Sequence, residues 1–206
     1  MGNTLKQARQ HAYRKVILDA AERVFADNGY DAARVHTIAE AAGASVGTIY
    51  GVFGSKAELF NAVLTLRLDH VTAKAAEAAA GGDTVIDQIE RGLDAYIVYL
   101  LEYPDFLRIH LHQHAWGLGP NRASTAQLSA WRLGLDLLAS MLARGIDDGV
   151  VIAEEPLLLA RSLVAIQQVY LAAWVDGGME TPPHEVAARL RELFRLTFCI
   201  DRGVLS

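Results

Sequence analysis

Apolar residues recur with helical spacing in almost every segment of this chain and nowhere alternate convincingly with period two. That pattern argues against a sheet and predicts an all-α fold of about nine helices. Ile17, Ala20, Ala21, Val24 and Phe25 share one stripe, which Asn28 and Gly29 close. Ile38, Ala39 and Ala42 mark a second, very short helix ahead of Gly43. Ser45 caps a third that runs to about Phe53. Ser55 and Glu58 read as a capping box, the hydroxyl accepting from the Glu58 amide and the carboxylate reaching back to Ser55. A long helix follows with Leu59, Phe60, Val63, Leu64, Leu68 and Val71 on its inner stripe, ending near Gly81. Further helices are expected over 85–100, from Pro104 to about Gly117, around 128–142, over 156–176 and over 183–200.

The chain's 206 residues are 52% hydrophobic, enough for one substantial core or two small ones. Its 21% charged residues are near the globular average, which argues against wholesale disorder. No run reaches the roughly 18 uncharged apolar residues of a membrane span. Cys199 is the only cysteine, which excludes an intrachain disulfide, a CxxC redox pair and a cysteine-based zinc site. The first residues are polar, and Lys6 stands where a myristoylation signal needs Ser or Thr. A cytoplasmic location without a membrane partner is expected.

The net charge of −5 is unevenly spread. Residues 1–60 hold seven Lys and Arg against six Asp and Glu, and residues 61–206 hold twelve against eighteen. The first fifteen carry Lys6, Arg9, Arg14 and Lys15 with no acid. Such an arm is either a solvated terminus or a phosphate-contacting element, and charge alone favours the solvated terminus.

Residues 36–53 place two short helices about Ala42-Gly43-Ala44, the spacing of a helix-turn-helix, although small-Gly-small turns also join ordinary helical hairpins. The surrounding residues are more specific. Arg14-Lys-Val-Ile-Leu-Asp-Ala-Ala-Glu-Arg-Val-Phe-Ala-Asp-Asn-Gly-Tyr30 precedes the pair, Ile38-Ala-Glu-Ala-Ala-Gly-Ala-Ser-Val-Gly-Thr-Ile-Tyr50 forms it, and Phe53-Gly-Ser-Lys-Ala-Glu-Leu59 closes it. Over about residues 12–64 the chain resembles the amino-terminal domain of the TetR family of transcriptional regulators. Beyond residue 64 the resemblance is one of helix count and length.

The resemblance implies a three-helix DNA-binding domain over 1–54 and a helical ligand-binding and dimerisation domain over 55–206. It implies a ligand-responsive repressor, released from a palindromic duplex operator by a small, apolar or aromatic molecule. By position it puts Thr48 and Tyr50 on the recognition helix, with Tyr50 a phosphate contact, and Lys56 on a backbone contact at the next helix start. Arg34 and His36 fall where the family touches phosphate or a base, and Val46, Gly47 and Gly51 on base-facing positions. Lys56 as a point charge beside exposed helix amides suits phosphate. Tyr50 is expected to pack its ring inward and aim its hydroxyl at phosphate. Ser45 serves as the cap or touches DNA. Two departures stand out: Val52 replaces the Tyr or His that gives a second phosphate contact, and Ala33 and Arg34 replace the usual Thr or Ser. The third helix is therefore poor in base-reading side chains.

The remainder carries no P-loop, GxGxxG, HExxH or GxSxG motif, so no enzyme and no cofactor are expected. His110 and His114 share one helix face with Phe106, and His112 points away. A metal-dependent hydrolase on His110 and His114 is one competing reading, but no matching carboxylate accompanies the pair and no metal is expected. A helical adaptor without DNA binding is the other. Tyr96, Tyr99 and Tyr103 share a face, and Trp116, Trp131, Tyr170 and Trp174 lie on later segments. With Phe106, His110 and His114 they are the candidate lining of an effector pocket, an ordinary core being the alternative. The last two helices are apolar on most sides and need cover, which a second copy supplies as a homodimer.

Overall fold

The computed structural model describes the backbone of residues 2–113 and 125–200, and the side chains of 12–112 and 131–200. Nine helices lie among the described residues: α1 Gly2–Ala32, α2 Val35–Ala41, α3 Val46–Phe53, α4 Lys56–Ala80, α5 Val85–Glu102, α6 Pro104–Gln113, α7 Thr125–Asp147, α8 Pro156–Asp176 and α9 Pro183–Phe198. The segment expected as a basic arm is helical from Gly2. Asn28 and Gly29 break α1 as expected: Gly29 leaves the helical region at φ 70°, and the Asn28 amide donates to the Val24 carbonyl at 2.9 Å.

The chain divides into two compact units, Met1–Arg67 and Leu68–Ser206. Helix α4 runs through the point of division. Leu59, Phe60, Val63 and Leu64 are buried, and Phe60 sits edge-on to Phe25 of α1 with ring centroids 4.8 Å apart. The first unit's core joins Ile17, Ala20, Ala21 and Phe25 of α1 to Ile38 of α2, Ile49 and Phe53 of α3, and Leu59 of α4. Arg67 of α4 donates to the buried Glu22 carboxylate of α1 at 2.8 Å.

In the second unit, α5, α7, α8 and α9 enclose Ile89, Leu135, Leu142, Leu163, Phe194 and Phe198. Glu155 caps α8, its carboxylate accepting from the Leu157 and Leu158 amides. Helix α8 is long and apolar enough to cross a membrane by length and composition. The count of uncharged residues misses this because Arg161 interrupts the run. In the structure α8 packs on α7 and α9 and buries Gln167 and Gln168.

One element escaped the periodicity argument. Val151 and Cys199 form an isolated antiparallel bridge, with the Ile152 amide donating to the Phe198 carbonyl and the Ile200 amide to the Val150 carbonyl, both at 2.9 Å. Helices α5 and α9 also share two ion pairs. Arg195 grips both oxygens of Glu90, and Arg191 stands 3.3 Å from Asp94. Burial holds the Asp94 carboxyl above the usual carboxylate range, Arg191 opposes that shift and Glu90 adds to it. A carboxylate whose pKa rises on folding costs stability once ionised, and the cost fades as pH falls through the folded pKa. Asp94→Asn is therefore expected to raise the thermal midpoint at neutral pH. The gain should shrink on acidification toward the ordinary carboxylate range, as melting curves at several pH values would record.

Candidate functional site

The turn between α2 and α3 depends on Gly43, whose φ of 62° is the left-handed conformation that side-chain-bearing residues avoid. Ser45 then caps α3: its hydroxyl accepts from the Thr48 amide at 3.0 Å and pairs with the Thr48 hydroxyl at 2.7 Å. Ile49 and Phe53 pin the inner side of α3 to the core. At about 100° per residue, Gly47 and Gly51 lie opposite them, with Thr48 and Val52 on one flank and Tyr50 on the other. Val46, on the first turn, falls nearer the inner side and is half-buried, as Thr48 is. Tyr50 is 44% exposed, so more than half of its surface is covered while part of it reaches solvent. An aromatic there is turned away from Ile49 by the helical pitch, which leaves it partly exposed on the flank of α3.

The capping box at Ser55 forms only in part. The Ser55 hydroxyl accepts from the Glu58 amide at 3.1 Å, but the Ser55 amide donates to the Phe53 carbonyl at 2.8 Å. That bond, made as the chain turns through Gly54 at φ 74°, takes the donor the Glu58 carboxylate would have used.

Lys56 opens α4. Its ammonium lies 4.7 Å from the Tyr30 ring centroid and donates to the Asp31 carbonyl at 3.2 Å. These contacts fix the charge beside the α4 N-terminus, where unpaired amides attract an anion. Arg34 is the exposed residue preceding α2, without a side-chain capping bond. His36 is exposed one turn from Glu40, at 3.5 Å. Sequence spacing missed one contact here. The Arg14 guanidinium stacks 4.3 Å over the Phe53 ring, tying α1 to the last residue of α3. Nothing in local periodicity pairs residues so far apart along the chain.

In the second unit, five of the expected ligand residues gather where α5 meets α6. Tyr96 shares a 3.1 Å hydrogen bond with the buried His110 ring, Phe106 lies against His110, and Tyr99 touches both Tyr103 and Phe106. Burial pushes the Tyr96 phenol well above its usual range, so it stays protonated. The Lys74 ammonium stands 5.6 Å from the Tyr99 ring. The other aromatics lie elsewhere. Trp131 packs on the α7–α8–α9 core, Tyr170 acts on Arg189 of α9, and the Trp174 indole donates to the Thr181 carbonyl. His114 and Trp116 lie outside the described residues. His112 is exposed and its Nδ1–H donates to the Arg108 carbonyl, so it faces away from His110. Among the described residues, no three His, Cys, Asp or Glu side chains are grouped to hold a metal.

Residues 17–63 match the family described as bacterial regulatory proteins, tetR family. Over 183 residues, 88% of this chain and 93% of the relative, the chain is 28% identical to YhgD of Bacillus subtilis (strain 168), described as an uncharacterized HTH-type transcriptional regulator. The structure of the ketosteroid transcriptional regulator KstR2 of Mycobacterium tuberculosis superposes with a TM-score of 0.76 at 19% identity, covering 91% of this chain and 95% of that one. The transcriptional regulator FadR of Bacillus subtilis, solved with stearoyl-CoA, gives 0.70 at 21% identity, covering 87% and 96%. These two structural likenesses show a shared fold.

Proposed function

The chain belongs to the tetR family of bacterial regulatory proteins, and on that premise we propose that it is a cytoplasmic, dimeric repressor released from a palindromic operator by a small molecule. One observation carries the DNA half of this reading. A Ser45-capped α3 follows a glycine turn and is followed at once by Lys56, held over Tyr30 at the start of α4. Helix α3 then enters the major groove, with Thr48, Tyr50, Gly47 and Gly51 toward the duplex and Val46 at its margin. Lys56 and the Tyr50 hydroxyl take phosphates, and Arg34 and His36 flank them.

The effector half rests on the α5–α6 cluster. Tyr96, Tyr99, Tyr103, Phe106 and His110 join aromatic surface to a few polar atoms, a composition suited to a mostly apolar ligand with one or two polar anchors. The stearoyl chain of the stearoyl-CoA solved with FadR is apolar surface of that kind. Dimerisation uses α8 and α9, which expose Leu158, Val169 and Leu196. A ligand that binds one spacing of the two reading heads more tightly shifts the population away from the operator.

Selection of random duplexes on the purified protein tests this directly. Enrichment of a two-fold sequence is expected. On that duplex, Lys56→Ala should flatten the salt dependence of log affinity by about one unit per subunit. A folded, dimeric protein that enriches no sequence would overturn the proposal.

A further inference from the structure

Helix α3 contains two glycines that its own fold does not need. Neither has a positive φ. A Cβ at Gly51 would meet nothing within 4 Å, and one at Gly47 only the Ser45 hydroxyl at 3.8 Å. A glycine is destabilising relative to alanine within a helix, most of all in the interior, where Gly51 lies. The chain therefore carries a cost with no internal return, on the line directly opposite the buried Ile49 and Phe53.

The flank beside that line is short of hydrogen-bonding groups. The Thr48 hydroxyl is paired with Ser45, and Ser45 also caps the helix. Val52, one turn after Thr48, is 40% exposed and offers only methyl groups. What this face presents is bare backbone edged by the methyls of Thr48 and Val52. In the major groove the matching feature is the 5-methyl group of thymine, which marks a base pair without a hydrogen bond.

We propose that α3 reads its operator through thymine 5-methyl groups, packed against Val52 and Thr48, and that Gly47 and Gly51 let the helix approach closely enough to do so. The inference rests on the DNA-binding reading above and adds the chemistry of its specificity. A side chain at residue 51 would hold the backbone away from the base edges and lift Val52 off the methyl. The same substitution would relieve the helix of a glycine. Stability and affinity should thus move in opposite directions, which a merely structural role for Gly51 does not produce.

The experiment starts from the duplex enriched by selection and replaces thymines in both half-sites by deoxyuridine, removing the methyl while preserving the hydrogen-bonding code. One buried methyl is worth about fourfold in affinity, so one per half-site predicts about 15-fold weaker binding. Val52→Ala should bind the thymine and deoxyuridine duplexes equally. Gly51→Ala should raise the thermal midpoint of the first unit by about 4–8 °C and still bind the thymine duplex more weakly. Equal binding of both duplexes by the unaltered protein overturns the methyl reading and leaves the regulator standing, as does an enriched half-site without thymine. Undiminished affinity of Gly51→Ala overturns the role given to the glycines. Failure to enrich any duplex removes the DNA-binding premise itself.

Discussion

Arg195→Ala is expected to destabilise the second unit by about 3 kcal/mol, while Glu90→Gln costs about 1 kcal/mol. The asymmetry follows from where each partner sits. The Glu90 side chain is 9% exposed and that of Arg195 is 62% exposed. Removing the arginine leaves a buried carboxylate without its partner and one turn from Asp94. Removing the charge from Glu90 leaves an arginine that water already reaches. Urea titrations of the two variants, followed by helical circular dichroism, would measure both losses. Equal losses would mean that Glu90 is hydrated and that the pair acts as a surface bridge.

Phe25→Ala should destabilise the first unit by about 3–5 kcal/mol, as for other fully buried aromatics. Phe25 is 2% exposed and contacts both Tyr30 and Phe60. Tyr30 in turn supports Lys56, so the loss propagates from the core to the proposed phosphate contact. Amide hydrogen exchange is the fitting measurement. Protection should fall across residues 17–64 and persist in α5 and α8. Uniform loss along the chain would show that the two units do not unfold separately.

The helices were legible because burial imposes a local period. Ile17, Ala20, Ala21, Val24 and Phe25 are all buried, as their spacing requires. The caps at Ser45 and Ser55 were legible for the same reason, since donor and acceptor lie within one turn. What escaped sequence reading is long-range or competitive. The Val151–Cys199 bridge has no repeat to betray it. The second half of the Ser55 box lost its donor to the Phe53 carbonyl, a competition set by the turn at Gly54. At the candidate sites, composition identified Tyr96, Tyr99, Phe106 and His110 but could not separate them from Trp131, whose spacing is equally suited to a different core. Tyr50 was named correctly as a position on α3, yet its exposure depended on the helical rotation fixed by Ile49 and Phe53.

The pairing of α5 with α9 also bears on how the protein is made. Glu90 and Arg195 are 105 residues apart, and the same helix pair shares Asp94 and Arg191. The first unit draws its contacts from residues 1–67 and is complete early in synthesis. The second stays open until the α9 segment has left the ribosome, because its core includes Phe194 and Phe198. A nascent chain thus carries a folded first unit ahead of a second that is still incomplete. Folding of that second unit, and any assembly through α9, begins only after that delay.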